Sequence, residues 1–130
     1  MYIDYEKHCG IGKMLGKTLS EINHLQQGSD SAVFVCDDGS EFLMFHDQDC
    51  CESVSITDVE GDVADLIGRP LLVCEEVDSN SFPAPAGEYV DSYTWTFYRM
   101  ATSKGFVVIR WLGESNGYYS ESVTIAQTKP

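Results

Sequence analysis

Between Phe45 and Val54 the chain reads Phe45-His46-Asp47-Gln48-Asp49-Cys50-Cys51-Glu52-Ser53-Val54. An imidazole, two adjacent thiols and three carboxylates fall within seven positions, His46 to Glu52. Thiolate and imidazole together suit Zn²⁺, and a cysteine near a histidine could act as a nucleophile with its base. The spacing argues against both. Adjacent residues on an extended strand point to opposite faces, so Cys50 and Cys51 would not easily share one ion. The five cysteines, Cys9, Cys36, Cys50, Cys51 and Cys74, match no zinc framework. No Gly-rich oxyanion turn follows the thiols. Asp58-Val59-Glu60-Gly61-Asp62 lacks the full ligand set and terminal Glu of a calcium loop, and helix capping by Asp62 explains it better. We therefore expect no catalytic residue, no metal, no cofactor and no Cys50–Cys51 bridge. The plainer alternative to a binding site has His46 and the carboxylates hydrogen-bonding loop backbone while one cysteine joins the core.

Both flanks of the cluster read as strands, so the polar residues fall where one strand ends and another begins. Upstream, 32–36 and 41–45 flank Asp37-Asp38-Gly39-Ser40, a hairpin signal because Gly supplies positive φ without strain. A turn centred on Asp38-Gly39 would set Phe34 opposite Leu43 and Ser31 opposite His46. Residues 1–16 read as a loosely held arm, and 17–25 as a strand. The run 62–70 reads as a short helix capped by Asp62, ended by Gly68 and stopped by Pro70, with a strand following over 70–74. Residues 75–91, with Pro83, Pro85 and Gly87, read as a loop.

The second half is rich in β-branched and aromatic residues over 93–100 and 106–112. Alternation puts Trp95, Phe97 and Arg99 on one face and Thr94, Thr96 and Tyr98 on the other. Asn116-Gly117 predicts a two-residue primed turn into a last strand over 118–125. Tyr118 would then pair with Ser115, and Arg110 would share a face with Glu121 and Val123. The expected architecture is one domain, 1–130, mainly antiparallel β (or α+β), with about seven or eight strands and one short helix.

Twenty-one acidic against eight basic residues give a formal net charge of −13. No Lys or Arg occurs between Lys17 and Arg69. Nucleic-acid backbones are bound by cations that displace counterions, so direct nucleic-acid binding is not expected. A partner basic at the contact is. The N-terminus lacks the apolar stretch of a signal peptide, and no window reaches the roughly 20 apolar residues of a membrane span. A soluble, intracellular protein with mostly free thiols is expected.

The runs "HDQDCCESV", "DLIGRPL", "TSKGFVVIRW" and "SNGYYSESV" resemble an uncharacterised family common in bacteriophage genomes. That family carries an acidic-Cys-Cys-Glu/Ser element and a C-terminal Ser-Asn-Gly-Tyr-Tyr element. The resemblance implies a phage or prophage accessory protein in the host cytoplasm and implies no activity. It marks His46, Cys50, Cys51, Glu52, Ser115, Asn116, Gly117, Tyr118 and Tyr119 as a shared surface.

The phage setting implied by the resemblance, with the acidic Lys- and Arg-free half, leads us to expect a non-enzymatic binder of a host macromolecule, such as a component of a defence system. The expected binding residues are His46, Asp47, Asp49, Cys50, Cys51, Glu52, Arg110, Trp111, Ser115, Asn116, Tyr118 and Tyr119. Two rivals stand beside it. One is a binder of a nucleotide signal, with Trp111, Arg110 or Arg99 and the tyrosines as a stacking pocket. The other is a metal- or thiol-dependent enzyme.

Overall fold

A computed structural model of the chain describes residues 3–77 and 92–130. Nine strands are present among them: β1 (His8–Cys9), β2 (Leu19–Asn23), β3 (Ser31–Cys36), β4 (Glu41–Phe45), β5 (Ser53–Glu60), β6 (Val73–Val77), β7 (Ser92–Thr102), β8 (Gly105–Ser115) and β9 (Thr124–Lys129). They form two antiparallel sheets, ordered β1-β9-β4-β3-β2 and β5-β8-β7-β6. The protein is thus a single, mainly antiparallel β domain. Its helical content among the described residues is three short 3-10 segments, Tyr5–Lys7, Ile11–Met14 and Val63–Leu66. No helix there is long and apolar enough to cross a membrane.

The core lies between the sheets. Ala32, Phe34 and Cys36 alternate inward from β3, and Val107, Ile109 and Trp111 from β8. Period-two burial of this kind follows from strand geometry. Nearly all of β4 is buried, because its outer face is also covered. Leu43, Phe45 and Ala126 form a second small cluster there, with Ile3 packed against it.

Residues 3–16 are accordingly held in place, where the sequence predicts a loose arm. β1 pairs with β9, and Ile11 and Met14 are buried in the main core. Burying a side chain of that size contributes about 1.5–3 kcal/mol, enough to outweigh the freedom of a short segment.

The β3–β4 hairpin departs by one residue from the expected register. Ser31 faces Phe45 and Phe34 faces Phe42. Gly39 N–H donates to the Cys36 carbonyl, Gly39 has φ +91, and Asp38 Oδ1 accepts from the Ser40 backbone and hydroxyl. The loop is therefore a three-residue turn with Gly in the left-handed bulge position, which adds a residue to the two-residue form.

The segment after β5 is close to expectation. Asp62 accepts from Ala64 N–H at 3.0 Å, Gly68 has φ +88, and the helix is a single 3-10 turn. The strand expected over 70–74 runs instead over Val73–Val77, so Glu75, Glu76 and Val77 belong to β6. The rest of the predicted Pro-rich loop, 78–91, lies outside the described residues.

Asn116-Gly117 does not make a hairpin. β8 and β9 belong to different sheets, and residues 116–123 cross between them. Asn116 lacks the positive φ that a primed turn demands, whereas Gly117 has φ +92. Arg110 therefore has no cross-strand relation to Glu121; it pairs across to Asp58 on β5.

Candidate functional site

Two chain segments cross from one sheet to the other at the same end of the sandwich. Residues 46–52 leave β4 for β5, and residues 116–123 leave β8 for β9. The β2–β3 connection bonds to β5, with Gly28 N–H donating to the Ile56 carbonyl and Ile56 N–H to Ser29. Its Asp30 and the adjoining Ser31 line a hollow with His46 and Gln48 of the first crossing.

Glu52 organises the first crossing. Its Oε2 accepts from His46 Nε2 at 2.7 Å and Asp49 N–H at 2.9 Å, and its Oε1 from Cys50 N–H at 2.8 Å. Gln48 closes the loop by donating to the Glu52 carbonyl at 2.7 Å. His46 Nδ1 donates to the Ser122 carbonyl at 2.7 Å, tying this crossing to the other. His46 and Glu52 are both buried, with Nε2 and Oε2 2.7 Å apart. Burial pushes the Glu52 carboxyl up, but the His46 ring and the Cys50 and Asp49 amides outweigh it and hold the group at about 2.

The second crossing is organised by another buried carboxylate, Glu121. Thr94 donates to its Oε1 at 2.7 Å and Ser115 to its Oε2, with Ser92 adding a further bond. Burial raises this carboxyl, and the hydroxyl donors outweigh that and hold it below the ordinary range. Gly113 admits the Glu121 main chain closely, because a Cβ there would lie 2.5 Å from the Glu121 carbonyl oxygen. The sequence reading missed Glu121, Gln48 and Thr94. The Ser-Glu-Ser run at 120–122 was the available signal, since hydroxyls flanking an acid are ready donors.

The expected binding residues thus divide. His46 and Glu52 are buried scaffold, and Asp47, Asp49, Cys50 and Cys51 are exposed. Asp30 is exposed beside them, on a hollow of about 140 Å³ floored by Phe45 and Val54 and edged by His46 and Gln48. Ser115 is half-buried, and Asn116 and Tyr118 are exposed, Tyr118 at 84%. Tyr119 is half-buried. Trp111 does not join them. It is fully buried, and its Nε1–H points at Met44 Sδ, 3.2 Å away. Arg110, one residue earlier on β8, faces the opposite side, where its guanidinium lies 5.5 Å from the Phe97 ring. A stacking pocket shared by Trp111 and Arg110 is therefore not formed, for the same reason of strand alternation.

Cys50 and Cys51 are bonded to each other, contrary to the expectation of separate thiols. The chain bends at these residues instead of running as a strand, so their side chains are not forced to opposite faces. Neither enters the core; Cys36 and Cys74 do. Among the described residues no group of three or more His, Cys, Asp or Glu is arranged to hold a metal ion. His46 has both ring nitrogens engaged, which leaves it without a free nitrogen for a ligand or a cysteine.

The electrostatics of this end follow from where cations are absent. No Lys or Arg occurs from 18 to 68 or from 111 to 128. Lys17 pairs with Asp38 at the far hairpin and Lys129 lies 4.0 Å from Glu41. Lys104 sits in the β7–β8 turn, donating to the Ala64 carbonyl, and Lys7 and Lys13 flank Gln127 and Thr128. Asp30, Asp47 and Asp49 enter no ion pair among the described residues.

A family model, the domain of unknown function DUF7448, matches residues 12–125. The chain belongs to this family. The match takes in both crossings and every strand from β2 to β8. No curated protein and no solved structure matches the chain.

Proposed function

We propose that this DUF7448 protein is a non-enzymatic accessory protein, of phage or prophage origin, that binds a host protein basic at the contact and thereby antagonises a host process such as defence. One observation carries the reading. Exposed Asp30, Asp47 and Asp49 gather at an end of the sandwich built from segments without Lys or Arg. A surface of one sign steers a complementary partner and raises its encounter rate. The small hollow beside Asp30 has the character to take a basic side chain, with its aliphatic stem on Phe45 and Val54 and its charge toward the carboxylate. Phage origin rests on the resemblance of the sequence motifs.

The test begins with capture of partners from host lysate and mass spectrometry of any small molecule released on denaturation. The recovered partner is then offered to two triple variants. Asp30→Asn, Asp47→Asn, Asp49→Asn should slow association by about tenfold at low salt, because steering acts on the on-rate. Glu6→Gln, Asp37→Asn, Glu60→Gln, equal in charge and placed elsewhere, should change it little. Equal effects of the two triples would reduce the reading to net charge alone. A released nucleotide with no protein partner would replace it with the small-molecule reading.

A further inference from the structure

We propose that Asn116 is a self-modification site, whose side-chain amide is converted to a carboxylate by attack of the Gly117 backbone nitrogen, with Ser115 and Glu121 as the proton relay. Three hydrogen bonds set up the chemistry. Gly117 N–H donates to Ser115 Oγ at 2.9 Å, and the Ser115 hydroxyl donates to Glu121 Oε2. The Tyr118 N–H donates to Asn116 Oδ1 at 3.1 Å. The first two connect the nucleophilic nitrogen to a carboxylate through one hydroxyl. The third polarises the carbonyl to be attacked, in the sense of an oxyanion donor.

The step balances as follows. Gly117 N bonds to Asn116 Cγ and closes a five-membered imide. Its proton passes to Ser115 Oγ while the Ser115 proton passes to Glu121. The Cγ–Nδ2 bond breaks, and ammonia leaves with the proton returned from Glu121. Water then opens the imide at either carbonyl, giving aspartate or isoaspartate.

The surroundings favour each requirement. Glu121 is held ionised by its hydroxyl donors, so the relay ends on a base throughout the neutral range. Asn116 and Gly117 are exposed, so water reaches the imide. Gly117 carries no side chain to crowd its nitrogen, and it sits at φ +92. Thr94 holds the same carboxylate through its other oxygen. The product adds a negative charge at position 116, near the end of the sandwich that already lacks cations.

Peptide mass mapping of the full chain, incubated at neutral pH, reads the amide-to-acid exchange at Asn116. The folded wild type should convert about tenfold faster than the same chain unfolded in guanidinium, a modest share of what a positioned acid–base relay supplies. Ser115→Ala and Glu121→Gln should each reduce the folded rate to the unfolded one. A folded rate equal to or below the unfolded rate overturns the proposal, and that arm needs no variant. So does a Ser115→Ala protein that folds and keeps the wild-type rate.

Discussion

His46 Nδ1 lies 2.7 Å from the carbonyl oxygen of Ser122, 76 positions along the chain. That bond joins the two crossings between sheets, and the ring's other nitrogen anchors Glu52. The cluster that looks most chemical in the sequence is, at its centre, a structural clasp. Its outward residues are left to meet a partner.

Replacing His46 tests the clasp. Losing a buried hydrogen-bond partner costs about 1–3 kcal/mol, and here His46→Ala strips both the Ser122 carbonyl and the Glu52 carboxylate of a donor. The urea midpoint should fall while the slope stays unchanged. A His46→Ala midpoint matching wild type would show the clasp to be dispensable.

Acid should weaken the fold through Glu52. Its folded carboxyl is held at about 2 against an ordinary 4.5. Above 4.5 the group is ionised folded and unfolded, and its stabilisation is complete. As pH falls from 4.5 toward 2 the unfolded chain takes the proton first, so the stabilisation is lost across that window. Asp38, lowered by its bonds to Lys17 and Ser40, acts with the same sign. Glu52→Gln should flatten the stability profile between these pH values; an unchanged slope would contradict the assignment.

Gly113 should tolerate no side chain. A Cβ there would stand 2.5 Å from the Glu121 carbonyl oxygen and 2.7 Å from its Cβ. Overpacking of this kind costs about 1–3 kcal/mol. Thermal unfolding of Gly113→Ala should begin well below that of wild type, and a normal melting temperature would mean the second crossing yields easily.

Four of the five cysteines should separate into two classes. Cys36 and Cys74 are buried, and burial pushes the Cys74 thiol up to about 12. Cys50 and Cys51 are exposed. After mild reduction, alkylation of the native protein should label Cys50 and Cys51 and spare Cys36 and Cys74 until denaturant is added. Early labelling of Cys74 would contradict its place in the core.

Local pattern alone determined much of the architecture. Alternation along a strand is a property of neighbouring residues, so which side chains of β7 share a face could be read from order alone, as with Tyr98 and Arg99 on opposite faces, while the fold decided that Tyr98 faces inward. Asp62 and Gly68 likewise announced the short helical turn, because capping acts within a few residues. The long Lys- and Arg-free stretch is composition, and it needed no fold to be seen.

Only the tertiary structure decided what these pieces do to one another. Asn116-Gly117 carries a hairpin signal, yet β9 pairs with β4 and β1, and sheet membership is set by packing between distant strands. The same long-range pairing brings Ser122 to His46 and makes that histidine a clasp where its neighbours suggested a ligand. Glu121 became visible as a buried carboxylate once Ser92, Thr94 and Ser115 converged on it from two strands. A buried charge is defined by partners remote in sequence, and those partners are chosen by the fold.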